Sequence, residues 1–346
     1  MKSRMTNFVE RLGITRIIAL SFFLVVVALV PILKLNAMTL YSQAITRMSM
    51  NGVLVLTMIP IIVCGAGMNF ALPIGIICGL LGGLISLELK LTGFGGFFAA
   101  IAFSLPFSLV LGFLYGQLMN RVKGSEMVIA TYVGFAMISI MCIFWLFIPV
   151  KNLILRMQMG RGIRKDVVLD EYWGGILDEF YPLHIGGLTI PTGTILFVLF
   201  ACFLVYLYMN SKTGVMMRAA GQNPALAEAN GINVNKMRIC GITLSTALGA
   251  VGILVYAQSF GFMQFYEGPK MMSFSAVAAV LIGGASSKKA AIGNMLLGVV
   301  IFQGLLTLSL PIANVILPES NISDIVRMII SNGIILYALG KGAGQK

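Results

Sequence analysis

The chain has 346 residues, 58% of them hydrophobic and only 10% charged, with a mean hydropathy of +0.96. A soluble fold of this size needs far more charge to cover its surface, so a pair of soluble domains is excluded. Lys and Arg number 24 against 12 Asp and Glu, a net charge of +12; in so apolar a chain that excess reports cytoplasmic loops, not a nucleic-acid partner.

Ten helices of about 20 residues use roughly 200 residues. The composition therefore predicts one all-α, polytopic transmembrane domain over 1–346, with no room for a separate catalytic domain. Apolar runs place the spans near 17–36, 51–68, 70–89, 97–119, 127–149, 190–209, 239–258, 274–286, 291–309 and 322–339. The first follows Lys2, Arg4 and Arg11 without a small-residue cleavage site, and reads as an uncleaved span. Phe8, Val9 and Leu12 beside Arg11 and Arg16 could form an interfacial helix. Between the second and third spans lies only Gly65-Ala66-Gly67-Met68-Asn69, a tight and unwound connection. The eighth is short enough to be broken or re-entrant. Gly79/Gly83 and Gly112/Gly116 fit close helix packing. Cys64, Cys78, Cys142, Cys202 and Cys240 all lie in apolar runs without a CxxC or Cys/His cluster, and read as small packing residues.

Ten spans put both termini on one side. If 1–16, 120–126, 210–238, 286–290 and 340–346 face the cytoplasm, they carry +11, and the rest of the chain carries +1. The positive-inside rule selects this orientation, with both tails cytoplasmic. The segment 150–189, with Tyr172, Trp173, Tyr181 and His184, is then an external loop, either a docking site for an external protein or a variable insertion.

The segment 210–238 is a cytoplasmic loop with sharper local physics. Asn223 is a good N-cap, and Pro224 suits the first helical position. Ala225 to Asn230 favours helix, and Gly231 supplies a left-handed C-cap. The expected product is an isolated two-turn helix. Being marginal alone in water, it needs something to hold it, most economically a partner protein.

Four segments carry a resemblance. Thr213-Gly214, Arg218-Ala219, Gly221, Asn223, Ala227, Gly231-Ile232 and Val234 resemble the cytoplasmic coupling segment of ABC importer permeases. The branch is that of ribose, other simple sugars and nucleosides, with branched-chain amino acid permeases as cousins. Gly65 to Gly75 resembles the family's Gly-Gly-Ile-Asp-Leu-Ser-Val-Gly stretch, Ser245 to Gly252 its SGxLAGLAG span, and Ala276 to Gly284 its AIAAVVLGG span. Asn69 stands where the family has Asp and Ala71 where it has Ser; this less polar stretch and the long external loop together lean toward nucleosides over simple sugars. Ser286-Ser287-Lys288-Lys289-Ala290 replaces the family's second Gly pair, which implies a different cytoplasmic turn.

The resemblance implies a permease subunit in the bacterial cytoplasmic membrane, with an inverted 5+5 pseudo-repeat. It pairs with a second permease subunit, identical or paralogous. Two cytoplasmic ATPase subunits, which use ATP and Mg, dock on the coupling helices, and an extracytoplasmic binding protein or lipoprotein delivers the solute. The coupling residues are Gly221, Asn223, Pro224, Ala225, Ala227, Glu228, Ala229, Gly231 and Ile232; Pro224, Ala225, Ala227, Glu228 and Ala229 would face a groove on the ATPase.

No GxxxxGK(S/T), HExxH or GxSxG is present, so the chain itself cradles no ATP phosphates and is expected to bind no cofactor or metal. The expected spans contain almost no acids, which argues against ion coupling. Near the outer end of the last span, Arg327 follows Asp324 by three residues and would pair or snorkel. Polar residues within spans are the candidate solute path: Asn69, with Phe70 beside it, Thr131, Ser245, Gln258, Asn294 and Gln303. Interhelical hydrogen bonding is the alternative for each. Phe260, Phe262, Phe265 and Tyr266 form either an interfacial aromatic belt or a stacking surface. Rival functions are a branched-chain amino acid or other small-solute permease, a self-contained channel or facilitator, and a non-transporting scaffold.

Overall fold

A computed structural model describes residues 14–157, 162–286, 290–316 and 332–333. The helices, in chain order, are α1 (Ile14–Ile32), α2 (Ala37–Leu56), α3 (Met58–Val63), α4 (Leu72–Glu88), α5 (Gly93–Arg121) and α6 (Glu126–Phe147). They continue with α7 (Thr192–Asn210), α8 (Lys212–Gln222), α9 (Pro224–Ala229), α10 (Val234–Phe260), α11 (Gly268–Ile282) and α12 (Ile292–Ile316). Among the described residues, six helical runs are long and apolar enough to cross a membrane, and three shorter apolar helices, Arg16–Ile32, Leu72–Glu88 and Gly268–Ile282, accompany them. The expected span 322–339, the N-terminal interfacial helix, Asp324 and Arg327 lie outside the described residues.

The central element is α10. It packs on α4 and α5 on one side and on α2 on the other, while α12 joins α2, α1 and α11. Small residues make the contacts close. A Cβ on Gly79 would sit 2.4 Å from the Ala250 carbonyl oxygen, and one on Gly112 would sit 3.0 Å from Thr243 Cα, so α4 and α5 approach α10 backbone to backbone. The Ala37–Val63 run is 78% buried in its most apolar window, against 28% for Gly93–Arg121 and 17% for Glu126–Phe147. The outer shell is thus α5 and α6, whose apolar faces suit lipid.

The second helix differs from expectation. It starts at Ala37 rather than at 51, because Asn36 caps it by accepting a hydrogen bond from Thr39 N–H at 3.3 Å. Its first half carries Thr39, Gln43, Thr46 and Arg47, which held the hydropathy below that of the later run. The unwound connection after it is present: residues 64–71 are non-helical, with Gly65 and Gly67 at positive φ. The eighth expected span is one 15-residue helix, α11, which starts at Gly268.

Among the described residues, four three-residue strands amend the all-helical expectation. β1 (Asp166–Val168) pairs antiparallel with β4 (Phe262–Gln264), with Val167 opposite Met263. β2 (Leu183–Ile185) and β3 (Leu188–Ile190) form a hairpin through Gly186 and Gly187, both at positive φ as a two-residue turn requires. The described residues of the 150–189 segment therefore form a folded cap. Leu155, Ile163, Leu169, Trp173 and Leu177 are buried in it. Glu88, the last residue of α4, accepts from the N–H groups of Lys151 and Asn152 and ties the cap to the bundle. Phe265 is not a belt residue: it is buried edge-on against Trp145, ring centroids 5.2 Å apart. These strands mark one end of the bundle; α8 and α9 mark the other.

Candidate functional site

At the short-helix end, α7 ends at Asn210 and the chain turns directly into α8. Asn223 serves two helices. Its N–H donates to Ala219 at the end of α8, and its Oδ1 accepts from Leu226 N–H at 3.1 Å to start α9. Pro224 occupies the first turn. At the other end Gly231 has φ 76°, Ile232 N–H donates to the Ala227 carbonyl at 2.9 Å, and Gly231 N–H donates to that of Glu228 at 2.9 Å. This is the paired closure of a Schellman cap.

The six-residue helix is not isolated. Ala227 is only 3% exposed and packs with Ala220 of α8 and Val234 of α10, flanked by Ile232 and Met237. Its own chain holds it, so no partner is needed for it to form. Ala227 faces inward, not toward a groove. The outward face is Pro224, Ala225, Leu226, Glu228 and Ala229, and Leu226 is its apolar tip at 60% exposure. Leu226 was not singled out from sequence; a large apolar residue two positions after a Pro at a helix start, amid small residues, was the available signal. Gly221 is also internal. A Cβ there would lie 2.1 Å from the Val63 carbonyl oxygen, so α8 presses on the turn that leads into residues 64–71.

Just beyond the short helix, Arg238 Nη2 forms a part-buried ion pair with Glu126 Oε1 at 2.8 Å. Glu126 Oε2 accepts from Gly124 N–H at 2.8 Å. The first turns of α10 are thereby fastened to the start of α6.

Of the seven candidate path residues, four come together. Asn69 Nδ2 donates to Ser245 Oγ at 2.9 Å, and Ser245 donates to the Thr57 carbonyl at 2.8 Å. Asn69 Oδ1 is buried and has no hydrogen-bond partner among the described residues. Phe70 follows it and packs on Phe274, ring centroids 5.7 Å apart. Thr131 lines a narrow crevice beside Phe70, and its hydroxyl is spent on the Met127 carbonyl. Gln258 lies apart at the strand end, where it accepts from Leu177 N–H and donates to Thr194 and Ser259. Asn294 is at the opposite end, beside Arg16 and Gly283. Gln303 is buried on α12.

A cavity of about 570 Å³ opens at the strand end. Thr39, Ser42, Gln43, Thr46, Arg47 and Met50 of α2 form one wall. Gly187 and Thr189 of the hairpin, with Ser259 and Phe260 of α10, form the other. Thr189 N–H donates to Ser42 Oγ at 2.8 Å and fixes the hairpin on α2. Behind Ser259 sits Asp178, which accepts from it at 3.0 Å and also from Thr194. Burial pushes the Asp178 carboxyl above its ordinary value, and these hydrogen bonds pull it back by less. Among the described residues, no group of three or more His, Cys, Asp or Glu could hold a metal ion.

Residues 4–337 match the model of a protein family described as branched-chain amino acid transport system, permease component. Among curated proteins, the chain is 31% identical over 93 residues to the nucleoside ABC transporter permease protein NupC of Lactococcus lactis subsp. cremoris, 27% of this chain and 29% of that one. It is 30% identical over 90 residues to the guanosine ABC transporter permease protein NupQ of Bacillus subtilis, 26% and 28% of the two chains. A third relative, the uncharacterized MG121 homolog of Mycoplasma pneumoniae, is 28% identical over 189 residues, 53% of this chain and 55% of that one. The chain thus spans between a quarter and just over half the length of these relatives. No solved structure matches it significantly.

Proposed function

Because the chain belongs to the family of branched-chain amino acid transport system permease components, we propose that it is the membrane subunit of an ATP-driven importer that carries a nucleoside into the cytoplasm. The observation that carries this reading is the short helix Pro224–Ala229. It is capped at both ends, backed by α8 and α10, and offers an apolar tip at Leu226. Such a rigid knob is what a separate motor needs in order to push on the bundle. The nucleoside assignment draws on what the NupC and NupQ relatives are named for.

In this proposal the short-helix end and both termini face the cytoplasm, and the strand end faces out. The bundle has ten spans in two inverted halves and works as a pair, with a binding protein or lipoprotein delivering solute to the cap. ATP and Mg stay in the ATPase subunits. When these close, they drive α9 inward. Two contacts relay the push: Gly221 against the turn before residues 64–71, and Ala227 against Val234 at the start of α10. Both lead to Asn69 and Ser245, whose hydrogen bond joins the unwound stretch to α10. Shifting that junction would alternate access between the two faces.

The test is purification of the intact assembly from its membrane. A nucleotide-hydrolysing subunit should co-purify, nucleoside uptake should be vanadate-sensitive, and Leu226→Asp should release that subunit while leaving the thermal midpoint of the permease unchanged. Retention of the ATPase by Leu226→Asp would overturn the docking role. Uptake without any ATPase would favour a self-contained facilitator.

A further inference from the structure

The cavity at the strand end holds a feature that the hydropathy pattern conceals. Arg47 is the eleventh residue of the 27-residue apolar run Ala37–Val63, and it is exposed. A guanidinium at that depth is costly against lipid, and intramembrane arginines face water-filled cavities or charge partners. Among the described residues the ion pairs are Lys165–Glu267 and Arg238–Glu126, and neither involves Arg47. It lines the cavity instead, on the helical face that also carries Thr39, Gln43 and Thr46.

The chemistry of the walls narrows the ligand. A cavity of about 570 Å³ suits a small molecule. Phe260 supplies an aromatic wall and is itself backed by Tyr256 in a stacked pair, ring centroids 5.4 Å apart and planes 24° from parallel. A flat base can stack there. Thr39 and Gln43 offer a hydroxyl and an amide group, which match the hydroxyls of a ribose, while Thr46 and Ser259 give their hydroxyl protons to the Ser42 carbonyl and to Asp178 and present only acceptor lone pairs. No carboxylate is among the lining residues, which disfavours a cationic solute. Arginine presents donors in a fixed fork that fits two adjacent acceptors. The O6 and N7 atoms of a 6-oxopurine form such an edge; adenine sets an N6 donor beside N7 and opposes the fork.

We infer that Arg47, which lines this cavity together with Phe260, is the specificity-determining residue that selects 6-oxopurine nucleosides, such as inosine and guanosine, over adenosine. This rests on the nucleoside-importer reading and deepens it. The test uses the complete assembly in proteoliposomes, with initial uptake rates for labelled inosine, guanosine, adenosine, uridine and inosine monophosphate. The wild type is expected to favour inosine and guanosine. Arg47→Gln should raise the KM for inosine about ten-fold or more, leave the maximal rate intact and hardly change adenosine uptake. Arg47→Lys should restore part of the preference, and it serves as the reporter where Arg47→Gln fails to assemble. Equal loss for all nucleosides, no change at all, or preferential uptake of the monophosphate would each overturn the assignment. A wild-type assembly that moves no nucleoside would overturn the nucleoside reading itself, an outcome distinct from one that moves nucleosides without discrimination.

Discussion

Ser245 holds two buried bonds at once, accepting from Asn69 and donating to the Thr57 carbonyl. Ser245→Ala removes both and leaves the Asn69 side chain without its one hydrogen bond among the described residues. Interhelical hydrogen bonds in membranes contribute about 1–2 kcal/mol at most. The thermal midpoint in detergent is expected to fall by a corresponding few degrees, and Ser245→Thr should preserve it; an unchanged midpoint for Ser245→Ala would remove the bond from the account of stability. Asp178 sets a pH dependence. Its carboxyl titrates above its ordinary value of 3.8 because it is buried, so the folded state favours the protonated form. Stability is therefore expected to fall as pH rises from about 3.8 through the raised value, then to level off. Asp178→Asn should flatten that slope, which a series of thermal midpoints between about pH 3.5 and 7 would reveal. Residues of this kind were only half legible. Asn69 and Ser245 stand out as polar groups in apolar runs, but their pairing joins positions far apart in the chain. Arg47 was missed because the surrounding Thr39, Gln43 and Thr46 made the first half of α2 read as a loop.

The short helix α9 shows where local chemistry suffices. Capping involves atoms within a few residues of one another, so Asn223, Pro224 and Gly231 could be read directly. Gly231→Val forces a β-branched residue to φ 76° and should loosen the cap. In the proposed importer it is expected to uncouple ATP hydrolysis from uptake, measured as hydrolysis that persists while transport falls several-fold. Gly221→Val tests the second contact: its side chain would collide with the Val63 carbonyl, so both stability and transport should drop. What sequence could not reveal was that α8 lies beneath α9, because the inward turn of Ala227 depends on Ala220 and Val234 from two other elements. The strands were equally hidden. A three-residue strand is too short to show alternation, and β1 finds its partner β4 nearly a hundred residues later.

At the scale of the molecule, hydropathy revealed most of the helical architecture, since each membrane-crossing helix must satisfy its own backbone within an apolar run. The folded cap was legible only as a long polar interruption. The orientation proposed from the charge asymmetry is open to direct measurement. A cysteine at Leu226 should resist a membrane-impermeant thiol reagent in intact cells and react once they are permeabilised, whereas a cysteine at the exposed Tyr181 should react in intact cells. Reversal of that pattern would put the short-helix end outside and end the coupling proposal. The division of labour between a passive bundle and an external motor is tested most directly by nucleoside uptake into liposomes, with the purified chain alone and with its complete assembly. An importer subunit yields uptake only in the assembly, with ATP present and vanadate absent; accumulation or equilibration of nucleoside by the chain alone would contradict it.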